Sequence, residues 1–203
     1  MPSPDLSENK ENELKIISKV AIGDCASIIA GVNPLAKGKQ KRYAYNAIQP
    51  GQLTVDGLVG ESATILRDIP CNEEQILKPG DVLLKRLNPD CAVVFEGSSK
   101  PLVTSANIFI IRPRQCLDSR YLAFLLEKSK LMQRISQLSG VGTTVAALTA
   151  SKIAGGIIPL PSLDEQKVLG DFWALSKKQK SLLRAMSLEN DRLMCAVCGK
   201  LYQ

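Results

Sequence analysis

The chain has 203 residues, 45% of them hydrophobic, with Lys+Arg 26 against Asp+Glu 20 and no histidine. That length holds one domain of ordinary size plus an appendage, and the apolar fraction supports a real core. Without histidine there is no Ser-His-Asp or Cys-His catalysis and no imidazole metal ligand.

Charge is uneven along the chain, with net −3 in residues 1–14, +7 in 15–163 and +2 in 164–203. The excess on the middle portion suggests a polyanionic partner. Of the six cysteines only Cys195 and Cys198 approach each other; a lone C-x-x-C inside a helical pattern reads as two small apolar residues more readily than as a zinc or redox site, so no metal is expected. No secretory signal and no apolar run of bilayer length is evident, so the expectation is a cytoplasmic protein with reduced thiols and no membrane partner.

Residues 1–14, M-P-S-P-D-L-S-E-N-K-E-N-E-L, read as a disordered acidic leader. From Lys15 the texture changes to short apolar runs, K-I-I-S-K-V-A-I and A-S-I-I-A, divided by Gly23-Asp24 and ended by Gly31. These are strands with turns between them. Residues 33–42, N-P-L-A-K-G-K-Q-K-R, form a basic loop, read either as a solvated surface or as an arm whose Lys37, Lys39, Lys41 and Arg42 follow a sugar-phosphate backbone. Strand-like pieces continue at 47–48, 52–55, 63–66, 82–84, 92–95 and 108–111, with Pro79-Gly80-Asp81 turning into V-L-L-K-R-L and residues 107–112 alternating enough for a sheet strand. Lys85 and Arg86 end one of these strands and are candidates for contact with a polyanion or simply a solvated strand end.

Two helices follow. Asp118 can cap the run ending at Gly140, and Thr149 can cap a short helix broken at Gly155-Gly156. Between them, Gly142-Thr143-Thr144 is either a connector or a third element that contacts the polyanion. The expectation is an α/β fold of the α+β kind, with a curled, β-rich domain over 15–161.

From residue 162 to 203 the pattern is one long helix. Ser162 and Glu165 form a capping box and Asp164 favours the positive end of the helix dipole. Phe172, Gln179, Met186, Leu193 and Lys200 at heptad a, with Val168, Leu175, Leu182, Glu189 and Ala196 at d, make a mostly apolar seam. The helix could fold back on its own domain, but an antiparallel partner matches Phe172 to Ala196, Leu175 to Leu193, Met186 to Leu182 and Gln179 to Glu189 of a second chain. The polar pair is then confined to itself. The expectation is a two-fold homodimer centred near Arg184.

Enzymatic motifs are missing from the sequence. There is no G-x-x-x-x-G-K-[ST] loop and no G-x-G-x-x-G; Asn88-Pro89-Asp90-Cys91 lacks the second proline and aromatic of the amino-methyltransferase tetrad. Glu165 in a nuclease-like E-x-K is already used by the cap. A non-catalytic protein without cofactor is expected.

In order, these segments resemble the specificity (S) subunit of type I restriction-modification systems. The resemblance rests on Ile22-Gly23-Asp24 with Gly31, on Leu77-Lys78-Pro79-Gly80-Asp81-Val82-Leu83, and on Tyr121-Leu122 through Gly140. It continues with Thr143-Thr144, Leu148 and Lys152-Ile153, and with Ile158-Pro159-Leu160-Pro161-Ser162-Leu163-Asp164-Glu165-Gln166, which is similar to the family's I-P-l-P-x-x-x-E-Q. That resemblance implies a target recognition domain that binds double-stranded DNA and a helical spacer. Full-length members carry two of each, with the spacers antiparallel, whereas this chain has one of each and would dimerise to restore the pair and read an inverted repeat with a fixed gap. The implied partners are modification subunits, which hold S-adenosylmethionine and methylate adenine, and a restriction subunit that the assembly can recruit. Leu169, Leu183 and Val197 at heptad e, with Trp173 at b, form an apolar margin that either seats a modification subunit or packs on the chain's own domain. Rival readings are a scaffold or fragment that reads no site, and the detached specificity portion of a fused restriction-methylation enzyme.

Overall fold

Two runs carry no polar residue, 82–84 and 108–111, and a strand of that kind needs apolar cover on both faces. The computed structural model, which describes residues 17–33, 43–128, 130–137 and 148–201, provides it. In chain order the elements are β1 (Ser18–Ala21), α1 (Ile22–Cys25), β2 (Ala26–Ala30), β3 (Tyr43–Ile48), β4 (Leu53–Thr54), β5 (Gly57–Leu58), β6 (Ala63–Arg67), β7 (Val82–Lys85), β8 (Ala92–Val94), β9 (Leu102–Thr104) and β10 (Ile108–Pro113), followed by α2 (Ser119–Lys128), α3 (Leu131–Gln137), α4 (Ala150–Ala154), β11 (Ile157–Leu160) and α5 (Leu163–Leu201). The result is β-rich with a few short helices and one long terminal helix, as the α+β reading requires.

An antiparallel sheet in the order β2-β10-β7-β8 forms the centre. Val82, Leu84, Phe109 and Ile111 point to one face, where Ile22, Tyr121, Leu122, Leu125, Ile153 and Trp173 cover them. Leu83, Ile108 and Ile110 point to the other, against Ile48, Leu53, Leu77 and Phe95. Residues 108–111 are therefore buried four in succession, and the polar alternation expected of that strand is absent because both its faces are covered.

A second sheet, β6-β3-β9, joins through the parallel β3–β9 pair, and a bridge from Val32 to Ser105 ties it to the end of β2. Gly31 is required at that crossing, since a Cβ there would fall 2.1 Å from the Ser105 carbonyl oxygen. β1 pairs antiparallel with β11 along its whole length, Ser18 opposite Leu160 and Ala21 opposite Ile157.

Local signals and tertiary structure agree at the caps. Asp118 Oδ1 accepts from the Tyr121 amide at 2.9 Å, and Thr149 Oγ1 from the Lys152 amide at 3.3 Å. Elsewhere they differ. The apolar run through Ile22 leaves the strand at Ala21 and closes into the single turn α1, which buries Ile22 and Cys25. The run after Asp118 forms two helices, α2 and α3, instead of one. β5 and β9, of two and three residues, are too short to leave a period in the sequence.

Candidate functional site

The long helix is fixed at its start by the residues of the I-P-L-P-S-L-D-E-Q run. Glu165 Oε2 accepts from the Ser162 amide at 2.9 Å, and Ser162 Oγ accepts from the Glu165 amide at 3.4 Å, so the capping box is closed in both directions. Gln166 is 1% exposed and every polar atom of its side chain is used. Its Nε2 donates to the carbonyls of Cys116 at 3.1 Å and Pro161 at 2.9 Å, and its Oε1 accepts from the Asp118 amide at 2.9 Å. One buried amide thus ties the helix start to the start of α2.

The same side of α5 continues onto the domain at one-turn intervals. A Cβ on Gly170 would lie 2.8 Å from both Arg120 Cβ and the Tyr121 nitrogen, so the absent side chain lets α2 and α5 approach closely. Trp173 is 7% exposed within the core. Lys177 lies with its Nζ 4.7 Å from the Trp173 ring and donates to Glu127 at 3.1 Å and to the Ala92 carbonyl at 3.4 Å. Farther along, Arg184 reaches Asp56 of the β4–β5 hairpin at 2.7 Å.

These docking residues stand at heptad b and f, on the side opposite the a/d seam. The apolar seam residues Val168, Phe172, Leu175, Leu182, Met186 and Leu193 are 57% to 73% exposed, and Gln179, Glu189 and Ala196 are exposed with them. So the helix does lie along its own domain over its first half, but it does so on its b/f side and leaves the seam bare. Trp173, counted in the sequence with an apolar margin, belongs to the domain core, while Leu169, Leu183 and Val197 remain exposed. Sequence patterning offered Trp173 as packing on the domain but missed the rest of the docking set, because the other members are a glutamine, a glycine, a lysine and an arginine. Their spacing over 166, 170, 173, 177 and 184 was the available signal.

The basic candidates divide. Lys37, Lys39, Lys41 and Arg42, and likewise Thr143 and Thr144, lie outside the described residues. Lys85 and Arg86 end β7 at one edge of the central sheet. The Lys85 ammonium is bound to Asp90 at 2.9 Å and is largely buried. That ammonium holds the Asp90 carboxyl below its usual range against the opposing effect of burial. Arg86 is exposed, with no ion-pair partner among the described residues. Its amide donates to the Asn107 carbonyl at 2.8 Å, and its own carbonyl accepts from the Leu148 amide at 3.0 Å. Leu148 is therefore held beside Arg86 at this end of the sheet. Chemically this edge offers one exposed guanidinium able to contact an anion, while the Arg86 amide and carbonyl are already paired.

Cys195 and Cys198 are exposed free thiols on the distal part of α5, and no cluster of three or more His, Cys, Asp or Glu side chains forms among the described residues. No helix of the described residues is long and apolar enough to cross a membrane.

The family model described as Type I restriction modification DNA specificity domain matches residues 17–180. No curated protein matches the sequence. Among solved structures, the chain is similar to the HsdS subunit from Thermoanaerobacter tengcongensis, at 20% identity and a TM-score of 0.61 over 92% of this chain and 42% of that one. It is also similar to a chain from a structure described for complex assembly and conformational transition of the type I R-M system, at 20% identity and a TM-score of 0.63 over 94% and 44%. The S subunit of the type I restriction-modification system from M. genitalium gives 12% identity and a TM-score of 0.54 over 91% and 45%. The chain thus spans less than half the length of each of these structures, and at such identities the likeness is one of fold.

Proposed function

Because the chain belongs to the family of type I restriction modification DNA specificity domains, we propose that it is a non-catalytic DNA-reading subunit that works as an antiparallel homodimer through α5. In this reading residues 15–161 are the target recognition domain and 162–203 the spacer. Two identical domains related by a dyad read the two halves of a gapped inverted repeat, while modification subunits, and a restriction subunit where one is recruited, bring the chemistry.

The observation that carries the reading is the exposed seam. A helix that has already docked one side on its own domain keeps six large apolar side chains, 57% to 73% exposed, on the other. Such a stripe on a soluble helix marks an interaction surface, and its a/d spacing fits another helix. For DNA contact we keep Lys37, Lys39, Lys41, Arg42, Thr143 and Thr144 from the sequence alone, and Arg86 for its exposed guanidinium at the sheet edge. Lys85 is the weaker candidate, since its charge is already spent on Asp90.

Two measurements test this. Sedimentation of the purified chain should give a dimer, and a monomer at every workable concentration would end the proposal. Selection of duplexes from a random pool, with and without a modification subunit, should enrich a gapped inverted repeat; no enrichment in either case would favour a scaffold that reads nothing.

A further inference from the structure

The run Asn88-Pro89-Asp90-Cys91, which fails as a methyltransferase tetrad, lies in the turn between β7 and β8, at one end of the central sheet. Both faces of that sheet are covered. The end where β7 begins is closed as well, since Arg112 donates to the Asp81 carboxylate at 2.7 and 2.8 Å and Ser119 Oγ to the Gly80 carbonyl at 2.6 Å. At the opposite end Arg86, Leu87 and Asn88 are exposed in succession, Leu87 by 47%.

The turn is braced. Lys85 Nζ donates to Asp90 at 2.9 Å across its base, Cys91 is buried, and the Arg86 backbone is fixed to Asn107 and Leu148 at 2.8 and 3.0 Å. At the tip the Asp90 amide donates to the Asn88 carbonyl at 2.8 Å, and Asn88 stands at φ 48°. Of the five left-handed positions among the described residues, four are held by Gly57, Gly60, Gly80 and Gly97. Only this one keeps a side chain where glycine is the least strained residue.

Among the described residues neither the Asn88 carboxamide nor the Arg86 guanidinium has a hydrogen-bond partner. The turn thus offers a planar fork of donors, an amide that both donates and accepts, and an apolar side chain between them, on a backbone that needs little ordering on binding. These groups suit base edges in the major groove: an arginine matches O6 and N7 of guanine, an asparagine N6 and N7 of adenine, and an apolar side chain packs on the thymine methyl.

We infer that the β7–β8 turn enters the major groove and that Arg86 and Asn88 read base edges there, Arg86 a guanine and Asn88 an adenine, with Leu87 between them and the Lys85–Asp90 pair positioning all three. This rests on the DNA-reading role proposed above and names residues that carry it.

Random-pool selection with the full chain and a modification subunit tests the assignment, run side by side for the unaltered protein, Asn88→Gly, Asn88→Asp and Arg86→Ala. Glycine and aspartate both tolerate the left-handed backbone, so the two Asn88 variants remove the carboxamide and keep the turn, and they should unfold at the unaltered midpoint. The Asn88 variants should lose an adenine preference at one position of each half-site and Arg86→Ala a guanine preference at another, each by at least about tenfold, with the other positions unchanged. Variant half-sites identical to those of the unaltered protein overturn the assignment and leave the DNA-reading role standing. Weaker binding to every duplex with unaltered preferences also overturns it, since that is the mark of phosphate contact. No enrichment by the unaltered protein overturns the DNA-reading role and the assignment with it.

Discussion

A methyl group at Gly170 would sit 2.8 Å from the Tyr121 backbone nitrogen and 2.9 Å from Asp118 Oδ1, and neither atom can retreat without disturbing the α2 cap. Gly170→Ala gains about 1 kcal/mol of helix propensity but forces overpacking that costs roughly 1–3 kcal/mol. We expect net destabilisation of about 0–2 kcal/mol in denaturant unfolding, instead of the stabilisation usual for a Gly→Ala change in a helix. Cys91 makes a second prediction. It is 1% exposed, and burial, aided by the Asp90 carboxylate, pushes its thiol from 9.0 up to about 11. A thiol that stays protonated in the fold but ionises in the unfolded chain contributes stability fully below about pH 9, and that contribution is lost as pH rises toward 11. At pH 8 a maleimide should label Cys116, Cys195 and Cys198 and spare Cys91 until denaturant is added; labelling read by mass spectrometry checks it.

At the scale of the element, α5 divides its work between two faces. Phe172→Asp replaces a side chain that is 73% exposed, so unfolding of the single chain should shift by no more than about 0.5 kcal/mol. The same change places a charge in the seam, and the protein should sediment as a folded monomer with unchanged circular dichroism. Loss of the fold instead would mean that the seam packs within the chain. This helix, its first residue and its free face were legible in the sequence, because a capping box spans three residues and a heptad repeats locally. Its docked face was not. Gln166 finds its partner 48 residues away and Arg184 finds Asp56 128 away, and polar residues in a helical pattern read equally as solvent-facing. The β1–β11 pair was hidden for the same reason, since it joins the two ends of the domain. For the basic residues, charge was readable but occupancy was not. Lys85 is neutralised by Asp90 five residues later, whereas Arg86 next to it stays exposed.

For the whole molecule, the antiparallel pairing proposed above predicts how site spacing responds to helix length. Seven residues inserted into α5 near residue 184 preserve the heptad and lengthen the paired helices by about 10 Å. At 3.4 Å per base pair the two domains move apart by roughly three base pairs, so the gap in the selected inverted repeat should grow by about that number while its half-sites stay the same. Repeating the random-pool selection with the lengthened protein checks this, and altered half-sites would show that the insertion had disturbed the domains themselves.

The pairing of Ser18 with Leu160 and Ala21 with Ile157 also bears on how such proteins diversify. Entry and exit of the domain share one doorway, so the unit can be lifted out and another set in its place without lengthening either connection. Its footing under Gln166 and Gly170 is supplied by residues 116–121, which travel with the graft. On the reading proposed above, exchanging that one cassette changes what is read and leaves α5 unaltered.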